Sequence, residues 1–131
     1  MEQKINRATN QRPDGDRVVD APLVTIDLEN FMKQIKSEES WKDSDRNAIT
    51  VFKTEGMNVV LVALHKEAEM PAHKANGILT LQVIEGKIIF ATESNAVEVN
   101  EGHMVTLHEN IPHRVVAEKE SVFLLTIASN R

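Results

Sequence analysis

The stretch His73–Lys87, HKANGILTLQVIEGK, decides how the rest of the chain is read. Its middle, Ile78–Ile84, is apolar apart from Thr80 and Gln82, and turn signals bracket it at Asn76-Gly77 and Glu85-Gly86. A short run of large apolar side chains between such turns predicts a strand. Alternation along that strand puts Leu79, Leu81 and Val83 on one face and Gln82 on the other.

The same texture extends in both directions. Ile49–Phe52, Asn58–His65, Lys87–Ala91, Ala96–Val99, Met104–Leu107, Arg114–Ala117 and Val122–Ala128 are short β-favouring runs. Glu55-Gly56, Pro71, Ser94-Asn95, Asn100-Glu101-Gly102, Asn110–Pro112 and Glu118–Glu120 separate them. Strands this short and evenly spaced predict an all-β sandwich or barrel rather than βαβ units. Val59–Leu64, Ile78–Ile84 and Val122–Ile127 are apolar on both faces, whereas an antiparallel strand wet on one side should alternate. The outer face therefore needs a cover. A helix supplies part of it and a second subunit the rest, so a homodimer is expected.

That helix is predicted over 27–36. Leu28, Phe31, Met32 and Ile35 fall at i, i+3, i+4 and i+7, and Asp27 is placed to cap its first amides. Trp41, the single tryptophan, is expected to anchor the link from helix to sheet. Residues 1–20 hold few apolar side chains and read as a mobile N-terminal arm, leaving 21–131 as the domain. The alternative is an edge strand built from Val18, Val19 and the Ala21–Thr25 stretch.

Composition narrows the functions. One domain fits the 131 residues, and the absence of cysteine excludes disulfides, thiolate metal sites and thiol chemistry. A balance of 15 basic to 20 acidic residues disfavours a nucleic-acid or anionic-membrane partner, and 4% aromatics disfavour a base-stacking platform. No apolar run approaches a membrane span and Met1–Asn10 lacks a secretory apolar stretch, so a cytoplasmic protein is expected. There is no phosphate loop and no nucleophile elbow. Ser37, Ser40 and Ser44 lack a nearby base, and the pairs Glu38-Glu39 and Glu118/Glu120 read as solvated surface.

The histidines carry the remaining chemistry, since imidazole is the commonest neutral metal ligand and proton shuttle. His65 ends an apolar strand, His103 follows a turn and His108 lies in a loop. His73 and His113 are singled out by the motifs around them.

Those motifs resemble the small single-domain cupins. In the first cupin motif His73 takes the first histidine and Gly86 the closing glycine. In the second, Gly102 opens it and His113 supplies its histidine, with Pro112-His113 as the usual ending. The resemblance spans about half the chain and implies an antiparallel β-barrel of the double-stranded β-helix or jelly-roll kind. Metal-binding members use two histidines and a glutamate from the first motif plus the histidine of the second. Here the second histidine position holds Ala75 and the glutamate position Leu79. The opening glycine of the first motif is Glu67; in the second motif the proline is His108, the glycine Asn110 and the closing asparagine Ala117.

The resemblance thus implies a small-molecule-binding barrel whose ligand-binding residues are His73 and His113, with no full four-ligand metal site and no assigned cofactor. A divalent transition metal on two histidines would need a third ligand, for which His65, His108, Glu67, Glu69 and water all stay open, with Gln82 a further candidate only if it faced inward. One alternative is a metal-dependent oxygenase, isomerase or lyase acting on a small organic substrate. Another is a structural or regulatory dimer.

Overall fold

The computed structural model describes residues 4–6 and 17–129. In chain order the elements are β1 (Lys4–Asn6), β2 (Arg17–Asp20), α1 (Leu28–Ser37), α2 (Glu39–Asp43), β3 (Arg46–Thr54) and β4 (Met57–Leu64). They continue with β5 (Glu69–His73), β6 (Ile78–Glu85), β7 (Lys87–Thr92), β8 (Ala96–Asn100), β9 (Met104–Leu107), β10 (His113–Ala117) and β11 (Ser121–Ala128). An all-β jelly roll with an N-terminal helix is what these elements build.

Two antiparallel sheets face each other. One has the order β3-β4-β11-β6-β9, the other β5-β10-β7-β8. Between them lie Val62, Leu64, Leu79, Leu81, Val83, Ile88, Phe90, Val115 and Phe123, all buried. As alternation along β6 requires, Leu79, Leu81 and Val83 point inward and Gln82 is exposed on the outer face. The β6–β7 turn needs Gly86: its φ is +86°, and a Cβ there would collide with the Glu120 carbonyl and the Ser121 side chain.

Of the strands that are apolar on both faces, β4 and the start of β11 find their cover in the helices. Ile35 of α1 and Trp41 of α2 pack on Ile49, Val51, Val59, Leu61, Ala63 and Val122. Asp27 caps α1 by accepting from the Asn30 amide at 3.0 Å. Asn47, buried on β3, secures the other end by donating to the Ile35 carbonyl and the Glu38 carboxylate, each at 2.9 Å. Trp41 stacks on His65 with ring centroids 3.5 Å apart, and His65 Nε2 donates to the Trp41 carbonyl at 2.8 Å. Trp41 therefore anchors the link between helix and sheet, as expected.

Two segments depart from the sequence reading. Residues 1–3 and 7–16 of the expected mobile arm lie outside the described residues. Arg17–Asp20, also placed in that arm, instead forms β2, with Val19 and Asp20 buried and the Arg17 guanidinium donating to the Thr50 carbonyl of β3. β2 pairs with β1 in a separate two-stranded sheet rather than extending either sheet of the sandwich, and the Ala21–Thr25 stretch forms no strand; Val18-Val19 is nonetheless apolar enough to gain from cover beside β3. The second departure is β5, read as a loop because of Pro71. No helix among the described residues is long and apolar enough to cross a membrane.

Candidate functional site

β10 lies between β5 and β7, and His113 is directly opposite His73 on one side and Thr92 on the other. Residues directly opposite on adjacent strands project from the same face. The two imidazoles therefore meet inside the sandwich, with ring centroids 4.4 Å apart and planes inclined at 58°. His113 is only 3% exposed, whereas His73 is exposed at the mouth. Phe90 of β7 lies parallel to the His113 ring at 5.5 Å.

Each ring is held the same way. His73 Nδ1 lies 2.8 Å from the Pro71 carbonyl and His113 Nδ1 lies 2.9 Å from the Ile111 carbonyl, in both cases two residues upstream. A carbonyl only accepts, so Nδ1 carries the hydrogen in both rings. In the neutral rings each Nε2 then keeps its lone pair, and no hydrogen bond among the described residues engages either one. Donating the far ring N–H to a backbone carbonyl is how metal-ligating histidines are oriented.

A third side chain joins them because of a backbone irregularity. The β5–β10 register shifts between His113 and Val115, so that Val115 pairs with Met70 while His113 pairs with His73. In a regular strand, residues 70 and 73 would point to opposite faces. The bulge at Pro71-Ala72 brings both inward, and proline suits it because it has no amide hydrogen to lose. Met70, His73 and His113 line one cavity, floored by Leu79, Leu81 and Phe123. Its volume is about 10 Å³, room for a single water-sized body.

The other ligand candidates lie elsewhere. Glu69 is exposed and ion-paired with Arg114 at 3.1 Å, while His65 is engaged with Trp41 on the far side of the five-stranded sheet. His103, His108 and Glu67 are exposed in turns. Ala75 packs on the inner core and Leu79 lines the cavity itself. No group of three or more histidine, aspartate or glutamate side chains among the described residues could hold a metal ion. A divalent centre with two histidines and a carboxylate does not fit these residues.

Beyond Phe90 the sandwich opens between β8 and β9. Phe90, Val97, Val105, Leu107 and Ile111 give this cleft apolar walls, with Thr92 and Asn95 at its rim, and its volume is about 350 Å³. No charged side chain lines it. Phe90 is the wall it shares with the histidine cavity.

No protein-family model matches the chain, and no curated protein matches it. Solved structures do. An RmlC-like cupin protein from Desulfovibrio desulfuricans is 26% identical, with a TM-score of 0.60 over 66% of this chain and 84% of that one. A cupin superfamily protein from Desulfitobacterium hafniense is 6% identical, with a TM-score of 0.63 over 65% and 78%. By fold, the domain is a small cupin. A salicylate 1,2-dioxygenase from Pseudaminobacter salicylatoxidans superposes with a TM-score of 0.72 at 15% identity, 84% of this chain covering 36% of that longer one. At that identity the likeness is one of fold.

The cupin register explains two backbone oddities. Glu67 and Asn110, where the motifs have glycine, have φ of 74° and 61°, the left-handed region that glycine favours. Met70 and Phe90 escaped the sequence reading, the first because only the bulge turns it inward and the second because nothing in its run marks it off from core.

Proposed function

We propose that the protein is a small-molecule-binding cupin barrel that takes a neutral, amphipathic ligand into the cleft between β8 and β9. The observation that carries this reading is the cleft itself: about 350 Å³, apolar walls, hydroxyl and amide groups at the rim and no charge. Ligand sites are typically concave, mostly apolar and of roughly 300–1,000 Å³, with a few polar groups that fix orientation. A charged ligand would find no partner here, and desolvating it would be unfavourable. The histidine cavity lies behind Phe90, the wall the two share, and the polar groups that would orient a ligand in the cleft are the Thr92 and Thr106 hydroxyls and the Asn95 amide. The protein acts in this reading as a cytoplasmic homodimer.

Amide chemical shifts recorded while a library of small neutral fragments is added would test the assignment. Perturbations are expected at Thr92, Val97, Val105 and Ile111, and they should vanish in Val97→Arg, which places a charge at the exposed rim. Perturbations centred on another face, or unchanged in that variant, would overturn it.

A further inference from the structure

We infer that a second cavity, on the side of the five-stranded sheet away from His73 and His113, binds a medium-chain carboxylate such as a fatty acid anion. Val51 of β3 and Phe31 of α1 form one side of it, and the 21–26 segment that leads from β2 into α1 forms the other. Arg17 and Val18 contribute from β2, and the volume is about 350 Å³. Val24 and Ile26 make the inner walls apolar, while Leu23, 82% exposed, carries apolar surface outward from the mouth. Covering these side chains with an alkyl chain is favourable in proportion to the area removed from water.

Charge selects the head group. Arg17 is the one charged side chain among the described residues that line the cavity. Its Nε and Nη2 donate to the Thr50 carbonyl, the first at 3.0 Å, which fixes the planar cation at the cavity's edge. A guanidinium held in place suits a carboxylate in shape and charge, and the Thr25 hydroxyl adds a neutral donor to the lining. Asp20 and Asp27 do not line the cavity, and Asp27 is taken up by the Asn30 amide. A cationic head group would meet Arg17 unfavourably. Residues 7–16 hold only Ala8 and Pro13 as apolar side chains, so this neighbouring stretch cannot supply a tail to fill the walls. The inference is independent of the cleft between β8 and β9, which shares no residue with this cavity.

Amide chemical shifts of the whole protein, recorded while sodium decanoate is added below its micelle concentration, test it. Perturbations should centre on Val24, Ile26, Phe31 and Val51 and saturate with a single site. Binding should tighten about tenfold from octanoate to decanoate, and decanol, with the same chain and no charge, should bind about fivefold more weakly or worse. Arg17→Gln removes the charge and keeps an amide that can donate to the Thr50 carbonyl. It should weaken decanoate by about tenfold and leave decanol unchanged, whereas a merely structural loss would fall on both alike. Val24→Glu, which puts a carboxylate in the wall, should abolish decanoate binding, and Val97→Arg in the other cleft should change nothing. Decanol binding as tightly as decanoate, an Arg17→Gln loss shared equally by both, or perturbations centred on another face would each overturn the inference. So would shifts at the same residues on diluting the ligand-free protein, which would make the cavity an interface between copies.

Discussion

Glu67 and Asn110 hold left-handed backbone at φ of 74° and 61° where the cupin motifs have glycine. For an L-residue that conformation is unfavourable by about 1–2 kcal/mol, less for asparagine, whose short polar side chain tolerates it. Glu67 is exposed and its amide donates to the Ala117 carbonyl at 2.7 Å, a bond that glycine keeps. Glu67→Gly should therefore stabilise the domain by about 1 kcal/mol, a rise of about 4 °C in melting temperature by calorimetry, and Asn110→Gly by less. A fall on Glu67→Gly would mean that unfolded-chain entropy outweighs the strain. At this scale the sequence was legible where a residue type is tied to a turn: Gly86 and Gly102 have φ of +86° and +83° as their motif positions require. The pairing of His73 with His113 was legible only through the family register, because nothing in a spacing of forty residues specifies strand neighbours.

Elements differ in how openly the sequence announces them. α1 was readable from its apolar stripe and from Asp27, since both signals are local. β5 was not, because Pro71 and four exposed positions hide a strand whose inward residues are set by a bulge. α1 is bound to the sheet by Ile35, fully buried, and by Lys36, which reaches Glu85 at 2.8 Å and Glu120 at 3.0 Å. Ile35→Ala should destabilise by about 2–5 kcal/mol, read from urea unfolding. Burial, the largest single influence on Lys36, depresses its pKa, but the hydrogen bonds and charges of Glu85 and Glu120 together outweigh it, and the net value is raised. A raised lysine pKa contributes stability in full below the unfolded-state value of about 10.4, and that stability is lost as pH rises through the folded value. The parent protein should thus lose more urea resistance between about pH 9 and pH 11.5 than Lys36→Met does. Equal losses would show that the link to β6 and the β10–β11 turn adds nothing to stability.

The molecule as a whole has one sheet with two apolar faces and helices enough to cover only part of the second. α1 and α2 cover β3, β4 and the start of β11, while Ile78 and Met104 remain 48% and 53% exposed on the outer face of β6 and β9. Thr80 pairs with Thr106 and Gln82 with Met104, so this strip is continuous and carries no charge. Such neutrality is informative in a chain of net charge −5, whose copies repel each other elsewhere. β9, the outermost strand of its sheet, also lacks the charged side chains that normally protect an edge. A second copy related by a two-fold axis is the occupant that suits a neutral, self-complementary strip. A stable dimer would bury about 800 Å² on each partner, which extends past Ile78 and Met104 onto Met57 and Ala128 at the same end of the sheet. Sedimentation velocity should show a dimer at micromolar loading, and the pair Gln82→Glu with Met104→Glu should give a monomer with its melting transition intact. A parent protein that sediments as a monomer would leave the strip without a partner of its own kind and end this account of the two-faced sheet.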